Sequence, residues 1–274
     1  MSSLWLILLP ALALVSWWLS EPWRLRRRRA RIVRTPFPPA WRAILRRRVP
    51  VYRRLPVVLQ RRLRERVQLF LADKAFIGCD GQAVDDEQRV TIAAQACLLR
   101  LGQADGGRFP GLHQVLVYPG PFVVDRVAHG VGGVQQDQRR VLLGESWSQG
   151  QVILSWPDAR DGAALPDDGH NVVLHEFAHQ LDQENGAANG APPLGSRQRH
   201  ARWAGVMQAA YAALQARLAA GQPGVIDAYG ATDPAEFFAV VTEAFFERPA
   251  ALADEQPALY AVLSGYHGLD PRAW

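Results

Sequence analysis

The stretch NVVLHEFAHQLDQENG, residues 171–186, restricts the folds open to this chain more than any other segment. Val172, Val173, Leu174, Phe177, Ala178 and Leu181 flank a polar trio, His175, Glu176 and His179. A helix with this distribution crosses a core and shows one strip to a cleft, so other elements must pack around most of its circumference. At 3.6 residues per turn, His175 and His179 leave the same face one turn apart, within reach of one metal ion. Glu176 lies about 100° round the helix, close enough to hold a water without ligating the metal. Two imidazoles and a carboxylate buried without a metal would carry a heavy desolvation cost. A five-residue pattern also arises by chance, so the rest of the ligand set has to carry the argument.

A catalytic zinc takes three protein ligands and leaves one position open. The HExxHxxGxxH continuation of one zinc-peptidase class is excluded, because Asp182 and Asn185 stand at its last two positions. His200 sits in the polar run SRQRHAR and reads as a surface residue. Glu236 and Glu243, seven apart in TDPAEFFAVVTEAFFERP, share one helix face and could both point at the metal region. Glu236 also stands three residues after Asp233, where a capping box would place a glutamate. Glu243 lies among Phe237, Phe238, Val240, Val241, Phe245 and Phe246, so it needs a partner. Asp227 and Asp233 are further oxygen donors, and Asp182 is placed to accept an imidazole N–H. Spacing alone does not choose among these carboxylates.

Charge divides the chain sharply. Residues 1–70 hold 17 basic and 2 acidic residues, a net of +15, whereas the remainder holds 14 basic and 24 acidic, a net of −10. An acidic body argues against direct binding of nucleic acid. The run LWLILLPALALVSWWL, residues 4–19, is uncharged and is followed by SEPWRLRRRRARIVR. Arginines after the apolar run, and not before it, predict an uncleaved anchor over residues 1–22 with its tryptophans at the headgroup level. The positive-inside rule then places the body in the cytoplasm, and the arginine-rich stretch 23–66 is expected to contact anionic inner-membrane lipid. Cys79 and Cys97 have no CxxC spacing and fit a reducing compartment.

Beyond the flank, LPVVLQRRLRERVQLFLADKAF and VTIAAQACLLRLG have helical spacing, and FIGCDGQAVDDEQR between them is turn-rich. HQVLVYP, FVV, RRVLLGESW and QVILSWP are short β-branched and aromatic runs, which predict a small antiparallel sheet. QVILSWP is the candidate edge strand for an extended peptide. The helix 171–186 follows, with Asp167, Asp168 or Asn171 as its cap and Gly186 as its stop. RWAGVMQAAYAALQARLAAG predicts another helix, and Asp233, Pro234 and Glu236 mark the start of one more. The body, residues 67–274, reads as one α+β domain.

Four blocks in this order, LVYPGPFVV (116–124), GESWSQGQVILSW (144–156), HNVVLHEFAHQLDQENG (170–186) and IDAYGATDPAEFFAVVTEAFF (226–246), resemble the Mlc titration factor A family of glucose-regulated zinc metallopeptidases. The likeness covers about residues 56–270. It implies a zincin-like fold, Zn2+ held by His175, His179 and Glu236, Glu176 as general base and Glu243 as a neighbour of the site. It implies a peptide or protein substrate, aminopeptidase character, and a transcription repressor as partner. A module that sequesters such a regulator, with hydrolysis secondary, is the alternative. Tyr229, a phenol just before the Glu236 helix, is the candidate donor to the developing oxyanion. Family members begin as soluble cytosolic proteins, whereas this chain carries the apolar run and arginine-rich flank ahead of the shared region.

Overall fold

The computed structural model describes residues 15–103, 108–129, 135–142, 144–147 and 150–274. The chain divides between Phe37 and Pro38 into two compact units. In the first, helix α1 (Glu21–Arg34) opens with proline in its first turn. Arg24 lies over the Trp17 ring and Arg27 over the Trp23 ring, each 3.7 Å from the centroid. Such stacking satisfies the guanidinium face without removing its charge from water. Trp17, Trp18, Leu19 and Trp23 are exposed. No helix among the described residues is long and apolar enough to cross a membrane. The expected transmembrane helix, residues 1–22, falls mainly on residues 1–14, outside the described residues.

The second unit begins at Pro38, inside the stretch read above as arginine-rich flank. Helices α2 (Pro39–Arg48), α3 (Val51–Arg54) and α4 (Val57–Asp73) bury Ile44, Leu45, Tyr52, Leu55 and Leu63. Several of their arginines have internal partners. Arg47 and Arg48 meet Glu87, Arg54 holds Asp167 through two bonds of 2.7 and 2.8 Å, and buried Arg66 donates to the carbonyls of Arg100 and Gln103.

The main sheet corrects the antiparallel expectation. Strands β1 (Ala75–Gly78), β2 (Gln114–Tyr118) and β6 (Gln151–Ser155) run parallel, and only β5 (Gly144–Trp147) is antiparallel to β6, in the order β1-β2-β6-β5. Parallel neighbours need a long crossover, which helix α5 (Asp86–Leu98) supplies between β1 and β2. β1 comes from the start of the segment read as turns. Strands β3 (Phe122–His129) and β4 (Gln135–Leu142) pair with each other as a separate antiparallel hairpin. QVILSWP is not an edge either, because β6 lies between β2 and β5, and the edge strands are β1 and β5.

Helix α6 (Trp156–Ala164) leads to α7 (Val172–Asp182), the histidine helix. Asn171 caps α7 by accepting from the Leu174 N–H, a 3-10 turn follows at residues 183–185, and Gly186 leaves it in the left-handed region at φ 94°. The buried side of α7 meets an aromatic cluster: Phe177 lies 4.9 Å from Phe109 and 5.8 Å from Phe70, centroid to centroid. Helix α8 (Arg197–Ala219), α9 (Pro234–Glu247), α10 (Pro249–Glu255) and α11 (Pro257–His267) complete the unit. α9 packs along α7 and is buried over nearly its whole length, Phe237 to Glu247. α5 carries fully buried Cys97, whose thiol is pushed up to about 12 by burial.

Candidate metal centre

Two helices bring the candidate ligands together. On α7 the period puts both imidazoles on one face, 4.9 Å apart between centroids. On α9 the start is set by Asp233, whose Oδ1 accepts from the Ala235 and Glu236 N–H groups. The Glu236 side chain turns toward α7, with Oε2 at 3.0 Å from Nε2 of His175 and 3.5 Å from Nε2 of His179. One ligand atom each from His175, His179 and Glu236 lies within 4.8 Å of the others.

Electrostatics suit a cation at this point. Glu243, seven residues along α9, places Oε1 at 2.7 Å from Nδ1 of His175. With Nδ1–H donating to this carboxylate, a neutral ring would leave a bare Nε2 facing a Glu236 oxygen. Two acceptors at 3.0 Å require a positive charge between them. Burial disfavours charge on the His175 ring, but Glu236 and Glu243 outweigh it and raise its pKa well above the ordinary value. Burial acts to raise the Glu236 pKa, but the two imidazoles overcome it and hold the carboxyl far below the usual range. A proton shared by this cluster and a divalent ion satisfy the same demand, and two histidines with a glutamate are a donor set of catalytic zinc.

Of the three, His175 lines a cleft of about 530 Å³. Glu176, 6% exposed, lines it beside Val172, Leu165 and Val240. Tyr229 also lines it, its ring 5.9 Å from that of His175 and tilted 36°. Asp158, Asp161, Asp168 and Asp227 add carboxylates, and no lysine or arginine among the described residues lines the cleft.

Residues 23–267 match the family described as glucose-regulated metallo-peptidase M90. The chain belongs to that family. A Synechocystis protein described as uncharacterized is 44% identical over 245 residues, covering 89% of each chain. Mlc titration factor A of Cronobacter sakazakii is 36% identical over 238 residues, covering 85% of this chain and 87% of its own. Mlc titration factor A of an Enterobacter species is 38% identical, covering 81% and 84%. Membership in this metallopeptidase family implies a divalent metal, and His175, His179 and Glu236 are residues that could hold it.

The remaining carboxylates have other tasks in this M90 chain. Asp182 accepts from the Gly190 and Ala191 N–H groups at 2.7 and 2.8 Å and fixes the loop after α7, and it lies close enough to His179 for their charges to interact. Asp227 accepts from the Tyr229 N–H at 2.8 Å and orders the turn that presents that phenol. His200 is exposed on α8. Glu247 escaped the sequence reading. Its Oε1 accepts from the Asn171 side-chain amide at 2.9 Å and its Oε2 from the Gly169 N–H at 3.1 Å, while Asn171 N–H donates to Glu243. Burial, followed by the nearby Asp168 and Glu243, pushes the Glu247 carboxyl up to about 8 against the opposing pull of Asn171. The spacing 236, 243, 247 on one helix face was the signal for it.

Proposed function

We propose that this chain is a zinc-dependent peptidase with His175, His179 and Glu236 as the metal ligands and Glu176 as general base. The convergence of two imidazoles and one carboxylate from separate helices, with Glu176 beside His175 in the adjoining cleft, carries this reading. A zinc ion bound there would supply Lewis acidity, polarising a carbonyl and making water more acidic. Glu176 takes the proton from the attacking water and returns it to the departing amine. Tyr229 donates from its phenol to the oxygen on which charge develops. Asn171 and Glu243 hold the His175 ring while this happens.

Aminopeptidase character has support in the charge of the cleft. A space lined by carboxylates, with no lysine or arginine among the described residues, attracts a cationic group, and a free α-amino terminus is the simplest one on a peptide.

The apolar run at residues 4–19 and the arginines that follow support a tether over residues 1–22, with the arginines of residues 23–37 against anionic lipid and the unit that begins at Pro38 on the cytoplasmic side. A second reading rests on the printed name of two relatives, Mlc titration factor A: the chain binds a transcription regulator, with hydrolysis secondary.

Glu176→Gln is the direct test. Purified variant protein should keep its zinc and lose peptide cleavage. Undiminished turnover would remove Glu176 from its role.

A further inference from the structure

A second cavity, of about 470 Å³, opens beyond the C-terminal end of α7 and shares no lining residue with the acidic cleft. Three elements converge on it. The turn after α5 brings Arg100, the start of α8 brings Arg199, Arg202 and Trp203, and α11 brings Val262 and Tyr266. Residues 71–274 carry a net charge of −10, yet three of their 14 basic residues line this one space.

Arg199 is not placed for helix stability. Arg199 lies in the first turn of α8, where no acid balances it, and the positive end of the helix disfavours a cation there. Arg199 and Arg202 are exposed, and no ion pair joins either to an acid among the described residues. Arg100 is 4% exposed, paired with Glu184 and 5.0 Å from the Phe109 centroid, so its position is set by the core. Glu184 offsets one of the three charges, which leaves the space cationic. The rest of the wall, apart from Gln103, is mostly apolar or aromatic. Val262 and Leu194 are buried, and the Trp203 indole N–H is committed to the Gly190 carbonyl at 2.8 Å, so its ring contributes surface only.

We propose that this cavity binds a small organic anion, one carboxylate or phosphate group on an aromatic or branched apolar body. Guanidinium forks match both anions geometrically, and the volume lies in the range of small-molecule sites. The proposal is independent of the peptidase reading.

The test is titration of the full chain with phenyl phosphate, phenylacetate and inorganic phosphate at low salt, followed by calorimetry and Trp fluorescence. At least one aromatic anion should saturate a single site at least tenfold more tightly than inorganic phosphate, and the better of the two identifies the head group. Arg199→Gln combined with Arg202→Gln should weaken that binding tenfold or more and leave peptide cleavage unchanged. Removing cations from the start of a helix does not threaten folding, so the variant stays informative. Equal binding by the double variant, absence of saturable binding by both aromatic anions, or loss of binding in His179→Ala would overturn the proposal. The last result would place the anion at the metal centre.

Discussion

Glu243 and His175 form the contact on which the geometry of the centre depends: Oε1 lies 2.7 Å from Nδ1, and the other carboxylate oxygen accepts from the Asn171 N–H. A single side chain therefore ties the cap of α7 to the ring that α7 presents. It sets the tautomer as well, because a proton held on Nδ1 leaves Nε2 as the ligand atom.

Removing this carboxylate should loosen the metal without removing a ligand. Glu243→Gln should weaken zinc binding by roughly 10–100-fold while the fold is retained. Competition with a chelator of known affinity measures the change. Unaltered zinc affinity would reduce Glu243 to a packing residue.

Tyr229 separates binding from turnover. If its phenol serves the developing oxyanion, Tyr229→Phe should lower kcat by on the order of 100-fold with KM and zinc content little changed. An unchanged kcat would leave the ring, 5.9 Å from His175, as a wall of the cleft.

The side of α7 away from the cleft should be costly to disturb. Phe177 is fully buried between Phe70 and Phe109, so Phe177→Ala should destabilise the fold by about 3–5 kcal/mol. Urea unfolding followed by circular dichroism gives the difference. A loss under about 1 kcal/mol would mean that the cluster collapses into the space.

His267 should produce an acid limb in the stability profile. Burial pushes its pKa down from 6.5 to about 4; the Leu99 carbonyl pulls the other way, and Arg100 adds to the depression. Below 6.5 the unfolded chain takes up a proton that the folded chain refuses. Stability from this group is therefore complete above about pH 6.5 and falls as pH drops toward 4, by on the order of 3 kcal/mol. His267→Gln should flatten that limb relative to the parent. The comparison rests on the slope with pH, since losing the bond to Leu99 lowers stability at every pH.

Helix periodicity made much of the centre legible without any structure. The pitch alone puts His175 and His179 on one face, Asn171 was among the proposed caps, and the Asp233–Pro234 start predicted where α9 begins. Those features depend on residues within a turn or two, which share the same local geometry wherever the helix lies. Sheet direction was different. Short runs separated by glycine and proline suggested hairpins, but the crossover through α5 makes β1 and β2 parallel, and β6 becomes an inner strand. Strand pairing joins residues far apart in the chain, so the runs themselves do not encode it.

The carboxylates show the same boundary most clearly. The sequence marked Glu236, Glu243, Asp182 and Asp227 as candidate acids of the metal region. Only the packing of α9 along α7 turned Glu236 to both imidazoles, Glu243 to Nδ1 and Asp182 to the 190–191 backbone. The sequence by itself determined which chemical groups were present and which shared a helix face. Tertiary structure decided which of them meet, because a helix has one face toward its neighbour and the rotation that buries Phe237 to Glu247 also selects the carboxylates that reach the histidines.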